Sequence, residues 1–206
     1  MRLKQKVDYI TSKLEKLYPN PEIPLNHENT FTFLVAVMLS AQSTDKKVNE
    51  ITPKLFSKAN TPEKMQKLDV VEIQNCIREI GLAPTKAKNI KRTSEILVER
   101  HDGKVPNTFD DLEELPGVGH KTASVIMSQA FGKPAFPVDT HIHRLAYRWK
   151  LSNGKNVDVT EKDLKRKFDK DLWNKLHLQM IFYGREFCQA RKKKCNCEIC
   201  KTVSGR

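Results

Sequence analysis

No run of about 18 consecutive apolar residues occurs in this chain of 206 residues, so it offers no candidate membrane-crossing helix. The opening MRLKQKVDYI is amphipathic where a secretory signal would be apolar; an intracellular, cytoplasmic protein is expected, with no membrane partner. Strand signals are nearly absent, and no period of 20–50 residues or low-complexity linker interrupts the pattern. Any division into domains must therefore come from packing. Cysteine is scarce and unevenly placed: of five, four crowd into residues 188–200, which suits a metal-like cluster better than a framework of spread disulfides.

What the chain does have is positive charge. Thirty-seven Lys+Arg against 25 Asp+Glu give a net charge of +12 and a pI near 9.5. Such a field attracts a polyanion, and nucleic acid is the first partner to consider. The plainer alternative is a solvated basic surface with no polyanion to bind.

Helix signals recur throughout. Val7, Ile10, Leu14 and Leu17 share one face of an N-terminal helix, and the stretch from Phe31 to Leu39 is apolar nearly all round, as a buried central helix would be. Thr44, Thr61 and Thr108 are positioned as N-caps; Pro53 is expected to interrupt the helix over 44–56. Gly81 reads as the C-terminal cap of a helix over 70–80, residues 86–100 as a helix with a basic outer face, and 121–131 as one stopped by Gly132. Asp139 or Thr140 opens a helix to about Trp149, Thr160 caps a basic helix, and 171–187 is expected to be the last. The fold class is all-α, as two helical domains with a cleft between them. Residues 22–133 form a six-helix domain with a helix-hairpin-helix at about 109–131, and 1–21 join 134–206 in a second domain bearing the cysteine loop.

The segment LPGVGHKTA carries the first candidate site. Gly117-Val118-Gly119 permits a tight reversal between helices and leaves backbone N–H groups uncovered, so a phosphate could be received there; an ordinary helix–helix corner reads the same way. Lys121 falls in the first turn of the following helix. The positive helix end, and any desolvation, would disfavour its ammonium and favour a nucleophilic neutral amine; simple pairing with phosphate is the alternative. Asp139, in PVDTH, is well placed as an N-cap; beside Lys121 its carboxylate could instead take a proton or stabilise positive charge on a sugar ring.

Taken together, LPGVGHKTA, AFPVDTHIHR, LSAQSTD at 39–45, IGLAPTKAKNI at 80–90 and the terminal cysteines resemble the endonuclease III family of helix-hairpin-helix DNA glycosylases and abasic-site lyases. The resemblance spans roughly residues 25 to 200, with the motifs in the family's order. It implies a monomeric base excision repair enzyme acting on duplex DNA with damaged bases or abasic sites. Lys121 becomes the nucleophile at the sugar C1′, and Asp139 assists base departure and later proton transfers. The implied reaction removes an oxidised pyrimidine and then nicks the strand by β-elimination. Because the base must be flipped out, the resemblance assigns Gln42 and Leu82 to the residues that enter the stack. It places the backbone phosphate, and a monovalent cation in some relatives, on Gly117, Val118 and Gly119, with His120 where relatives often carry arginine. The remaining readings are a shifted lesion specificity on the same fold, toward mismatches or photoproducts, or a non-catalytic DNA-binding module.

One motif departs from the family. Its iron–sulfur loop reads Cys-x6-Cys-x2-Cys-x5-Cys, whereas here Cys188-x6-Cys195-x-Cys197-x2-Cys200 keeps only the first interval. Four thiolates suit a [4Fe–4S] cluster and also zinc. A loop without metal is the third possibility, in which Lys192, Lys193 and Lys194 still supply a DNA-facing basic patch. Cys76, alone in a helix, reads as a small buried residue.

Overall fold

The computed structural model of the chain describes residues 1–191 and 195–204. These form α-helices and one short 3-10 turn, with no strand among the described residues. Two compact units result: residues 23–131, and residues 1–22 with 132–206.

The chain opens with α1 (Leu3–Leu17), which belongs to the second unit and buries Ile10 and Leu14 there. Residues 23–131 then fold around α2 (Thr30–Ser40), whose nine residues from Phe31 to Leu39 are all buried. Asn29 caps it, its side chain accepting from Thr32 N at 2.9 Å. Helix α3 (Asp45–Phe56) is capped by Thr44 and runs through Pro53 without a break. A proline removes one N–H from the ladder; burial of Ile51, Thr52, Leu55 and Phe56 around it holds the last turn in place. Thr61 caps α4 (Pro62–Met65) as expected.

Helix α5 (Val70–Cys76) ends four residues earlier than the sequence suggests, at the C-cap Ile77. Gly81 is not a left-handed cap; the left-handed position falls on Leu82 (φ 61°), the N-cap of α6 (Ala83–His101). Lys86 also departs from expectation: it turns inward from α6, only 7% exposed, where a basic outer face was anticipated. Helices α7 (Phe109–Glu113), capped by Thr108, and α8 (His120–Gln129) flank the glycine turn and complete the unit.

The second unit continues with α9 (Thr140–Arg148), α10 (Val157–Lys167), the 3-10 turn Lys170–Leu172, α11 (Trp173–Glu186) and α12 (Glu198–Ser204). Thr160 does not cap α10. Asn156 does, its side chain accepting from Val159 N at 2.8 Å, while Thr160 lies buried one turn inside and hydrogen-bonds His143 Nδ1. Nor is α11 the last helix, since α12 follows Cys197, carries Cys200, and brings Ile199 and Val203 into the core that holds Ile10, Leu14, Phe136, Trp149 and Tyr183. No helix among the described residues is long and apolar enough to cross a membrane.

Candidate functional site

The hairpin turn is built by its glycines and by α6. Gly117 has φ +82°, and a Cβ placed on it would come within 2.7 Å of Asn89 Nδ2, so a side chain is excluded twice. Pro116 O accepts from Thr93 Oγ1 at 3.1 Å, Leu115 O from Val118 N at 3.0 Å, and the Val118 side chain is buried. Gly119 is extended, open on its Cβ side, and N-caps α8 without a side-chain bond. The first N–H groups of α8 thus have no intrahelical acceptor and lie at the positive end of the helix. A backbone phosphate is the natural occupant of such a place.

Lys121 stands in that first turn, and its side chain is exposed. His120 is drawn back toward α7, with Nδ1 2.7 Å from Glu113 Oε1 and its ring stacked 5.5 Å from Phe109. It ties the two helices of the hairpin together across the turn.

Of the three left-handed non-glycine residues in this unit, Asp102 (φ +50°) closes α6, and the other two lie in neighbouring loops. Gln42 has φ +57° and Leu82 φ +61°, and both side chains are exposed, Leu82 to 57%. A non-glycine residue in the left-handed region costs roughly 1–2 kcal/mol, and such strain gathers at functional positions. The two loops are neighbours: a Cβ on Gly81 would lie 3.9 Å from the Gln42 carbonyl oxygen. Sequence reasoning reached both residues only through resemblance; their strained backbone is the physical sign, and it is not written in the sequence.

Asp139 belongs to the other unit. It is half-buried and N-caps α9, with Oδ1 accepting from Ile142 N at 2.8 Å. The capping role and a chemical role are compatible, because the bond engages one carboxylate oxygen.

The four clustered cysteines do converge. The sulfurs of Cys188, Cys195, Cys197 and Cys200 lie within 4.8 Å of one another, three of the residues buried and Cys197 half-buried. Cys188 and Cys200 are 3.8 Å apart. An all-sulfur set of four is the donor chemistry that a [4Fe–4S] cluster requires, so the shortened spacing still assembles a fitting site. Sulfurs about 3.8 Å apart also match the edge of a tetrahedron around one zinc ion with bonds of about 2.3 Å. The thiols share protons: the bond to Cys197 pushes Cys188 up to about 12 and Cys200 is raised too, while bonds from Cys188 and Cys200 hold Cys197 far below a free thiol.

Two arginines of α9 that the sequence did not single out secure this loop. Arg144 Nε donates to Cys188 O at 3.1 Å, and Arg148 donates to Cys188 Sγ at 3.1 Å and Gln189 O at 3.0 Å. Lys192, Lys193 and Lys194 lie outside the described residues.

Comparison with known proteins agrees with this geometry. Residues 35–170 match the family described as HhH-GPD superfamily base excision DNA repair protein. Endonuclease III of Bacillus subtilis is 42% identical over 95% of this chain and 89% of its own length. For endonuclease III of Escherichia coli the figures are 44%, 90% and 88%. The solved structure of a trapped endonuclease III–DNA covalent intermediate superposes over the whole of both chains with a TM-score of 0.90 at 38% identity. A chain with this hairpin, this thiolate cluster and these relatives belongs to the endonuclease III family of the HhH-GPD superfamily of base excision DNA repair proteins.

Proposed function

We propose that this chain excises oxidised pyrimidines from duplex DNA and nicks the resulting abasic site by β-elimination through a Schiff base on Lys121. The observation that carries the reading is the position of that lysine: first turn of α8, immediately after the Gly117-Val118-Gly119 turn, in a chain of this family. Its structural relative trapped covalently on DNA supports the same chemistry.

The hairpin turn receives a backbone phosphate on the first N–H groups of α8. A monovalent cation there would be held by backbone carbonyls of the Gly117-Val118-Gly119 turn. Gln42 and Leu82 enter the duplex as the damaged nucleotide leaves it, and the energy stored in their backbones is consistent with a fixed, preformed wedge. DNA laid over the hairpin excludes water from Lys121, and that desolvation favours the neutral amine.

That amine attacks C1′ of the flipped nucleotide. The C1′–N bond breaks, its electron pair leaves with the base, and the base takes up a proton. One of the two protons on the lysine nitrogen then passes to O4′ as the C1′–O4′ bond opens with its electron pair onto that oxygen, giving an iminium. Loss of a C2′ proton forms an enamine whose electrons expel the 3′-phosphate oxygen and leave a C2′=C3′ double bond. Water hydrolyses the iminium and returns the amine. Asp139 is the carboxylate assigned to the proton transfers and to the positive charge that develops on the sugar. Cys188, Cys195, Cys197 and Cys200 would hold a [4Fe–4S] cluster, which when bound would fasten the end of α11 to α12. The enzyme works where the cell's DNA is, at the nucleoid.

The test is borohydride trapping on duplexes containing thymine glycol or a preformed abasic site. A covalent adduct that vanishes in Lys121→Gln is expected; DNA binding with neither adduct nor nick would overturn the reading.

A further inference from the structure

Leu82, Lys86, Asn89 and Thr93 follow one another at intervals of four, three and four residues, and so share one face of α6. Each touches a different part of the DNA-facing surface of residues 23–131. Leu82 is itself one of the two strained tips. The Lys86 ammonium donates to Leu39 O at 2.9 Å and Ala41 O at 2.5 Å, the carbonyls that end α2 immediately before Gln42. The Asn89 amide packs against Gly117, and Thr93 bonds Pro116 O. One rigid helix therefore sets the Gln42 loop, the Leu82 tip and the hairpin turn relative to one another.

Lys86 is the member that core packing alone does not explain. Burying an ammonium is costly unless its donors are satisfied, and a methionine or leucine would fill similar space without that cost. The carbonyls at a helix C-terminus carry partial negative charge and have no intrahelical donors, which makes them suited to hold a cation. Burial also lowers the pKa of Lys86 below that of an ordinary lysine.

We infer that Lys86 is a positioning residue for base eversion: by binding the Leu39 and Ala41 carbonyls it fixes the left-handed Gln42 turn in register with Leu82 on its own helix, so that both enter the duplex as one wedge. This rests on the assignment of Gln42 and Leu82 as the residues that enter the stack. Lys86 touches no reacting atom; it acts through Gln42.

The experiment uses the full-length protein and a lesion-bearing duplex with 2-aminopurine beside the damaged base, whose fluorescence rises on unstacking. Lys86→Met keeps most of the side-chain volume and removes the ammonium. Its fluorescence rise and single-turnover excision rate are expected to fall about tenfold, with binding to undamaged duplex within about twofold of wild type. The deciding arm is a double-mutant cycle with Gln42→Ala. If Lys86 works through Gln42, adding Lys86→Met to Gln42→Ala costs less than about twofold further; the same tenfold loss in both backgrounds overturns the inference. Should Gln42→Ala alone leave unstacking intact, the stack-entry assignment falls and the inference falls with it, a result distinct from additivity. Lys86→Gln, neutral but polar, serves in the same cycle if the methionine variant does not fold.

Discussion

Replacing Leu82 by alanine and by glycine should reverse the usual order of the two residues. In an ordinary helix, alanine is the more stabilising by about 1 kcal/mol. At Leu82, φ is +61°. Both substitutions delete the same side chain, so whatever area Leu82 buries drops out of the comparison. What remains is the left-handed penalty, roughly 1–2 kcal/mol, which alanine keeps and glycine escapes. Against it stands the greater unfolded-state entropy of glycine, about 0.4–1 kcal/mol. The difference leaves Leu82→Gly more stable than Leu82→Ala by about 0.5–1 kcal/mol, which for a chain of this size corresponds to about 1–4 °C in Tm. Thermal denaturation followed by circular dichroism reads that shift directly. Both variants lose the apolar wedge, so excision of a lesion from duplex DNA should fall in each, and by similar factors. An alanine variant that melts above the glycine variant would refute the strained geometry, and full excision activity in either would refute the wedge.

Other consequences can be checked alongside. Gly117→Ala meets both a left-handed φ and Asn89 Nδ2 at 2.7 Å, so a loss of at least about 1–2 kcal/mol is expected in denaturant melts; Gly119→Ala, with open space and extended backbone, should cost less than about 1 kcal/mol. Protein purified without air should carry about four irons and four sulfides per chain and absorb broadly near 400 nm, whereas one zinc and no sulfide would overturn the cluster. Reloading of metal-free protein should weaken with acid, since all four sulfurs must bind as thiolates and Cys188 and Cys200 hold their protons tightly. Asp163 is held below the usual aspartate range, first by the Ser152 hydroxyl and then by Lys167 and Arg166. Its contribution is complete above the unfolded value of about 3.9 and is lost as pH falls through the lower folded value. Asp163→Asn should accordingly destabilise the chain at pH 7 and shrink the difference from wild type at pH 2–3 in thermal melts; an equal difference at both would discount the carboxylate.

The elements that sequence reasoning found were those whose signal is local. The nearly all-apolar stretch from Phe31 to Leu39 reads as a buried helix, and Thr44, Thr61 and Thr108 mark their helices by capping chemistry. Where two residues carry the same signal the sequence does not decide: Asn156 and Thr160 are both good caps, and only burial of Thr160 against His143 separates them. Gly81 was credited with the left-handed turn because glycine adopts it at least cost; the fold instead places Leu82 there. Helix α12 has only Ile199 and Val203 as buried apolar markers and is held by cysteines and by α1, which no local period can reveal. Of the residues proposed for the chemistry, Lys121 and Asp139 are legible as motif residues. Lys86 is not, since a lysine in a helix rich in charge looks like surface until its two carbonyl acceptors from α2 are seen.

The docking of α1 has a consequence in time. Its apolar stripe, Ile10 and Leu14, finds its cover on α11 and α12, and its polar side is fastened there by Lys13 and Tyr9 to Glu198, and by Glu15 to Lys175. Those partners lie 160 to 189 residues further on, about 10–40 seconds of synthesis at about 5–20 residues per second. Residues 23–131 can complete their own core while the ribosome is still at work, but the first helix must wait for the last. For that interval the nascent chain trails an uncovered amphipathic segment, and chaperone capture of this enzyme during translation should concentrate on its opening fifteen residues and end as α11 and α12 emerge.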